Sequence, residues 1–202
     1  MPQLYPLMIC SEHYMPERYA RIRGQGSVFI ASLRAAEKAG GMWLAFQDSN
    51  GNSAVKQGDI VSFAQISHVD WLSQAEIVVE CKVLNWGQVC ANALAFSNEW
   101  MAPCIRAESL ELWPNLYKQR NTHALQLALE KINLQYPELK ASDLQENISS
   151  ECVKQLCWRW LELLPLPINT KQRLLKSPSA SLCIRYLGFI LRQSDRFNHL
   201  PR

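Results

Sequence analysis

Trp158-Arg159-Trp160-Leu161-Glu162-Leu163-Leu164-Pro165-Leu166-Pro167-Ile168-Asn169-Thr170-Lys171-Gln172-Arg173-Leu174-Leu175 reads as the end of one helix, a corner locked by two prolines, and the start of a second helix. Upstream, Cys152, Val153, Leu156, Cys157, Trp160, Leu161 and Leu164 recur at spacings of one, three and four, the pattern of an apolar helical face. Pro165 and Pro167 stop that helix, because each lacks an N–H and biases the preceding residue away from helical dihedrals. Asn169 is placed to cap the next helix, with Gln172 three residues on as its capping-box partner. The corner is expected to bury Leu163, Leu164 and Leu166, whereas Lys171 reads as a solvated first-turn residue.

Around this corner the chain divides in character. Residues 59–66 and 76–84 are rich in β-branched and aromatic residues with polar interruptions, as strands are. Asp48-Ser49-Asn50-Gly51-Asn52 and Gly40-Gly41 signal turns. The pattern predicts a helix from about Pro16 to Arg23, with Pro16 in its first turn, and another over Ser32 to Lys38. From Leu116 the period becomes helical. Asn121 or Thr122 can cap a helix with Leu125, Leu129 and Ile132 on one face, ending before Pro137. A last helix, capped by Ser179 or Ser181, carries Leu182, Tyr186, Leu187 and Ile190. Strands followed by helices argue for an α+β fold. The boundary falls at Trp113-Pro114-Asn115, giving a β-rich part over 1–115 and a helical part over 116–202.

The order of residues at the corner resembles a known family. Leu161-Glu162-Leu163-Leu164-Pro165-Leu166-Pro167 followed by Lys171-Gln172-Arg173-Leu174-Leu175 is similar to the end of the Lon protease N-terminal domain, the LON substrate-binding domain. Leu4-Tyr5-Pro6-Leu7 resembles that family's opening strand, Glu17-Arg18-Tyr19 its Glu-Pro-Arg-Tyr segment, and Gly41-Met42-Trp43-Leu44-Ala45-Phe46 a following strand. Gly58-Asp59-Ile60-Val61 through Trp71-Leu72 is similar to a further stretch. The resemblance implies a small PUA-like β-barrel followed by a helical bundle. It also implies a non-catalytic module that binds polypeptide; with the chain ending at Arg202, a stand-alone member without the ATPase and protease domains of Lon is expected, its partner left open between a polypeptide substrate and a partner protein. Arg18 and Tyr19 then have structural work, the Arg fork on backbone carbonyls and the Tyr ring beneath it.

Composition is compatible with that reading. The 202 residues are 48% hydrophobic and 19% charged, as a folded globular chain requires. No apolar run approaches the roughly 20 residues that span a bilayer, and no basic-then-apolar signal opens the chain. The cytoplasm is the expected compartment. Seven scattered cysteines, with no Cys-x-x-Cys, fit buried free thiols better than a disulfide framework.

Positive charge collects late: residues 152–202 carry nine Lys/Arg against two Asp/Glu. An alternative function is therefore RNA binding through these basic helices, as PUA-like barrels occur in RNA-modifying proteins. No aromatic platform is interleaved with the charge, which favours a solvated helical surface.

Motifs for catalysis are missing. Gly24-Gln25-Gly26 is the sole Gly-x-Gly, position 29 is Phe, and no Gly-Lys-Ser/Thr occurs, so no phosphate cradle, and no cofactor, is expected. There is no Gly-x-Ser-x-Gly elbow. Cys10 and His13, the closest approach to a nucleophile–base pair, have no evident orienting group, and they are too few for zinc. His68 and His199 have no chemical company either. Among the seven tryptophans, most should be core. Trp158 and Trp160 lie about 200° apart on a helix, so only Trp160 continues the apolar face. Trp158 either packs on the barrel or is exposed; in the second case it joins Trp71-Leu72, in a loop after a strand, as the candidate binding residues, because exposed apolar groups mark contact sites.

Overall fold

The computed structural model describes residues 3–72, 76–96, 101–113, 122–136 and 153–198. Six strands and five helices run along these residues. They are β1 (Gln3–Cys10), β2 (Arg18–Gly24), α1 (Gly26–Ala39), β3 (Met42–Phe46), β4 (Ile60–Trp71), β5 (Ile77–Phe96) and β6 (Pro103–Leu110), then α2 (His123–Gln135), α3 (Val153–Leu163), α4 (Ile168–Leu175) and α5 (Ser181–Asn198). Strands precede helices apart from α1, so the fold is α+β.

The sheet order is β2-β5-β4-β3-β1-β6, and β5 also pairs with β6. That extra pairing closes β1, β3, β4, β5 and β6 into a ring, with β2 attached to the outer flank of β5. Closure depends on the length of β5. Its first part, Ile77–Val83, lies between β2 and β4, while Trp86 onward pairs with β6. Only β1 and β3 are parallel; the other pairs are antiparallel.

Alternation sorts the side chains of this ring. Leu7, Trp43, Ala45, Val61, Val89, Ile105 and Ala107 come from all five ring strands and form one cluster, the barrel interior. The opposite faces of β1 and β3 contribute Met8, Cys10, Met42 and Leu44 to a second cluster with Ala20 and Ile22 of β2 and Ala36 of α1. Strand β3 is consequently buried at every residue, which is why it shows no period-two pattern. Gly87 is required here: a Cβ would lie 2.4 Å from the Trp43 ring. Helix α1 ends at Gly40, whose φ of 78° places it in the left-handed region that glycine occupies without penalty.

A third and larger core joins the two parts of the chain. Met15, Ile60, Trp86, Leu112 and Trp113 from the strand part pack with Leu125 and Leu129 of α2, Trp158, Trp160 and Leu161 of α3, Leu174 and Leu175 of α4, and Cys183 and Leu187 of α5. Trp113 Nε1 also donates to the Ser177 carbonyl at 3.0 Å. The expected boundary residues Pro114 and Asn115 lie outside the described residues, as do Trp100, Asn121, Pro137, Cys152 and His199.

Several expectations are corrected. The segment read as a helix from Pro16 to Arg23 is strand β2, with Ala20 and Ile22 inward and Tyr19, Arg21 and Arg23 outward. Glu17 at φ 66° turns the chain, and its N–H donates to the Val83 carbonyl at 2.9 Å, setting β2 on β5. At the corner, helix α4 begins two residues earlier than read, with Pro167 at the N-cap position and Asn169 inside the helix. Leu163, Leu164 and Leu166 are half-buried against the shared core, not fully enclosed. The fully buried leucines of the motif are Leu161, Leu174 and Leu175.

Candidate functional site

The motif residues of the corner do three separate jobs on the strand part. Glu162, on the last turn of α3, accepts a bond from the Met15 N–H at 2.9 Å and from the guanidinium of Arg18, and Arg159 Nη1 joins the same carboxylate at 3.2 Å. Arg18 is thus tied to the corner through Glu162, and Tyr19 is exposed on the outer face of β2. Gln172, expected to reach back along its own helix, instead presents its amide to strand β4. Ile60 N–H donates to Gln172 Oε1 at 2.7 Å, and Gln172 Nε2 donates to the Ile60 carbonyl at 2.9 Å, imitating a neighbouring strand. Asp48 takes the capping role. From the β3–β4 loop its carboxylate accepts the N–H groups of Asn50 and Asn52, and it also receives the N–H of Ile168 at the start of α4.

Lys171 is the third motif residue. It is 3% exposed, with its ammonium 4.5 Å from the centre of the Phe46 ring. Burial lowers its pKa from 10.5 to about 8. The expectation of a solvated lysine is therefore wrong. Phe46 and His13, both distant in sequence, close over it. His13 stacks on Phe46 with ring centres 5.1 Å apart and meets the edge of Trp86 at 6.2 Å. Its Nδ1 has no hydrogen-bond partner. Burial, then the Lys171 charge, lowers the His13 pKa to about 3.

These residues line an open cleft of about 670 Å³ between the β3–β4 loop and the corner. Its lining includes the aromatic and basic residues Phe46, His13 and Lys171, the corner residues Leu163 through Pro167, and the charged groups of Glu12, Asp48, Arg18 and Glu162. A cleft this size with an apolar wall and a few placed polar groups has the properties of a ligand site.

Two predictions follow from the buried bases. Above pH 6.5 His13 is neutral in both folded and unfolded chains and has no effect. Below that, the unfolded chain takes up a proton that the folded chain refuses until about pH 3. Parent stability should therefore fall with acidification relative to His13→Phe, by up to about 1.4 kcal/mol per pH unit, in denaturant titrations between pH 6.5 and 4. For Lys171 the folded state disfavours the ammonium. Lys171→Met should be more stable than the parent by about 1–3 kcal/mol at pH 7, and the gap should close as pH rises from 8 toward 10.5.

The cysteine–histidine pair does not assemble a nucleophile. Cys10 packs among Met8, Ala20 and Leu44, and burial pushes its thiol pKa well up, while His13 belongs to the cleft wall. Among the described residues no group of three or more His, Cys, Asp or Glu could hold a metal ion.

The candidate contact residues fall in two places. Trp71 ends strand β4 and Leu72 follows it; they are 60% and 55% exposed. Trp158 is a core residue, 7% exposed, with its ring 5.6 Å from Trp86 and 6.4 Å from Trp113. Of the two outcomes open to it, Trp158 packs on the barrel and is not an exposed contact, because α3 is covered on both sides: Cys157, Trp158, Arg159, Trp160 and Leu161 are all buried. Trp86 pairs with Ser62, so Trp71 lies nine residues further along β4, about 30 Å at 3.3 Å per residue. The three do not form one surface.

Three of the nine late cations are paired with carboxylates among the described residues. Lys154 pairs with Glu111 at 3.1 Å, Lys176 with Asp59 at 2.7 Å and Arg159 with Glu162, while Lys171 is buried. Arg173, Arg185 and Arg192 are exposed. No described helix is long and apolar enough to cross a membrane.

No protein-family model and no curated protein matches the chain by sequence. Solved structures do match. A Lon N-terminal domain protein from Xanthomonas campestris superposes with a TM-score of 0.64 at 14% identity, over 92% of this chain and 96% of that one. The N-terminal domain of Mycobacterium avium complex Lon protease superposes with a TM-score of 0.61 at 16% identity, over the same shares. The barrel, the corner and the helices behind it together are therefore the fold of a Lon N-terminal domain.

Proposed function

We propose that this chain is a non-catalytic module that binds polypeptide, a substrate segment or a partner protein. The observation that carries the reading is the likeness to Lon N-terminal domains over 92% of the chain. The open cleft beside the corner supports it, since an apolar wall with a hydrogen-bonding rim suits an extended segment. Trp71 and Leu72 are proposed as a second apolar contact at the end of β4. The change of architecture near residue 115 is proposed to divide one cooperative unit, because the largest core draws on both sides of it. Six free cysteines among the described residues support work in a reducing compartment such as the cytoplasm.

The test is a titration of fluorescently labelled, reduced and alkylated lactalbumin, followed by anisotropy, with gel analysis in the presence of ATP. Saturable binding without cleavage is the expected result. Absence of binding would overturn the binding claim, and ATP-dependent cleavage by the chain alone would overturn the claim that it is not catalytic.

A further inference from the structure

We propose that the cleft beside the corner accepts a carboxylate of the bound polypeptide at Lys171 Nζ, with the adjoining apolar side chain of the polypeptide against Phe46, Leu164 and Leu166. The inference rests on the polypeptide-binding reading and adds to it the chemistry of the segment taken.

Three observations carry it. First, Lys171 is an ammonium in the wall of an open cleft, on a residue that is only 3% exposed. Charge removed from water to this degree is costly unless an opposite charge meets it. Among the described residues no carboxylate or carbonyl accepts a bond from its Nζ; the Phe46 ring is its one attractive contact. Second, the acids around the cleft have other duties. Glu162 holds Arg18 and Arg159, Asp48 accepts the loop amides of Asn50 and Asn52 and the N–H of Ile168, and Glu12 shares a side-chain hydrogen bond with Tyr14. The other cations of the rim are engaged too: Arg18 and Arg159 by Glu162, and Arg21 lies 3.9 Å from Glu80. Third, the surface next to Lys171 is apolar, formed by Phe46 and the Leu163–Pro167 corner. A carboxylate attached to an apolar residue satisfies both features at once. A phosphate-sized polyanion gains less, because one ammonium faces the cleft without a partner and no glycine-rich amide cradle accompanies it.

The carboxylate can come from a chain terminus or from an Asp or Glu side chain, and the experiment separates the two. Fluorescein-labelled hexapeptides ending in Leu-Leu are compared as the free acid, as the C-terminal amide, and as the amide with Glu at the penultimate position. They are titrated by anisotropy into the parent, Lys171→Met and the exposed control Arg185→Ala, alongside the labelled lactalbumin. A charge-assisted bond of this kind corresponds to at least about tenfold in affinity. The free acid should bind the parent and Arg185→Ala at least about tenfold more tightly than the plain amide, and this preference should vanish in Lys171→Met. If the Glu-containing amide recovers the affinity, a side-chain carboxylate serves as well; if it does not, the site reads chain termini, and both results support the proposal. Equal binding of acid and both amides by the parent, with lactalbumin still bound, overturns the carboxylate site and leaves the polypeptide-binding reading standing. Loss of lactalbumin binding as well overturns both.

Discussion

Replacing Glu162 with Ala is expected to remove about 3–5 kcal/mol of stability, the range for stripping a buried charge pair of one member. The carboxylate is 10% exposed and is shared by Arg18 and Arg159, whose side chains are 18% and 7% exposed, and it also accepts the Met15 N–H. Removing it leaves two guanidiniums close together without the negative charge between them. Glu162→Gln keeps the length and an acceptor for Met15, so it should lose less. Denaturant titration of the two variants checks this, with the midpoint moving and the slope unchanged. A loss under about 1 kcal/mol for Glu162→Ala would mean that the clamp does not hold α3 to the strand part.

Replacing Gln172 with Ala should cost about 2–4 kcal/mol. Both backbone groups of Ile60 depend on this amide, and they lie in the buried seam between β4 and α4. Leaving a buried donor or acceptor without a partner costs about 1–3 kcal/mol for each group, which here means two groups together. Gln172→Glu is the informative second variant. It preserves the acceptor for the Ile60 N–H but places an oxygen against the Ile60 carbonyl, so it should be destabilised as well. Near-parental midpoints for both variants would show that water replaces the amide and that the seam is open.

These two residues show how much of the fold was legible in the sequence. The corner was visible, because two prolines and an apolar face at helical spacing are local signals. So were α2, α3 and α5, and the early parts of β4 and β5. Strand β2 was misread although Tyr19, Arg21 and Arg23 alternate with Ala20 and Ile22. The rule that Pro16 suits a first helical turn was given more weight than that short alternation, and the turn at Glu17 carries no glycine to announce it. Closure of the barrel was beyond local pattern, since it depends on β5 continuing past Leu84 to reach β6.

The site was less legible than the fold. Trp71 and Leu72 were singled out as exposed apolar residues, and the structure places them at the open end of β4. For Trp158 the helical spacing left packing on the barrel and exposure both open, and it packs on the barrel, which supplies the second covering surface of α3. Lys171 was read as solvated because a lysine in a first helical turn normally is. The residues that bury it, His13 and Phe46, are more than a hundred positions away. The pairing of Glu162 with Arg18 spans 144 residues and leaves no trace in either local pattern. The resemblance to the Lon domain located the residues that matter at the corner, but not their duties. Glu162 and Gln172 fasten the helices to the strands, and Lys171 lines the cleft that this fastening creates.

That division of labour makes one measurement decisive. Amide hydrogen exchange followed by mass spectrometry, with and without saturating unfolded lactalbumin, reports which backbone the polypeptide covers. The account predicts slowed exchange in peptides covering residues 46–51 and 163–171, the two walls of the cleft, with the exposed face of α5 around Arg185 and Arg192 unchanged. Protection confined to that basic face, with the cleft exchanging as in the free protein, would contradict it.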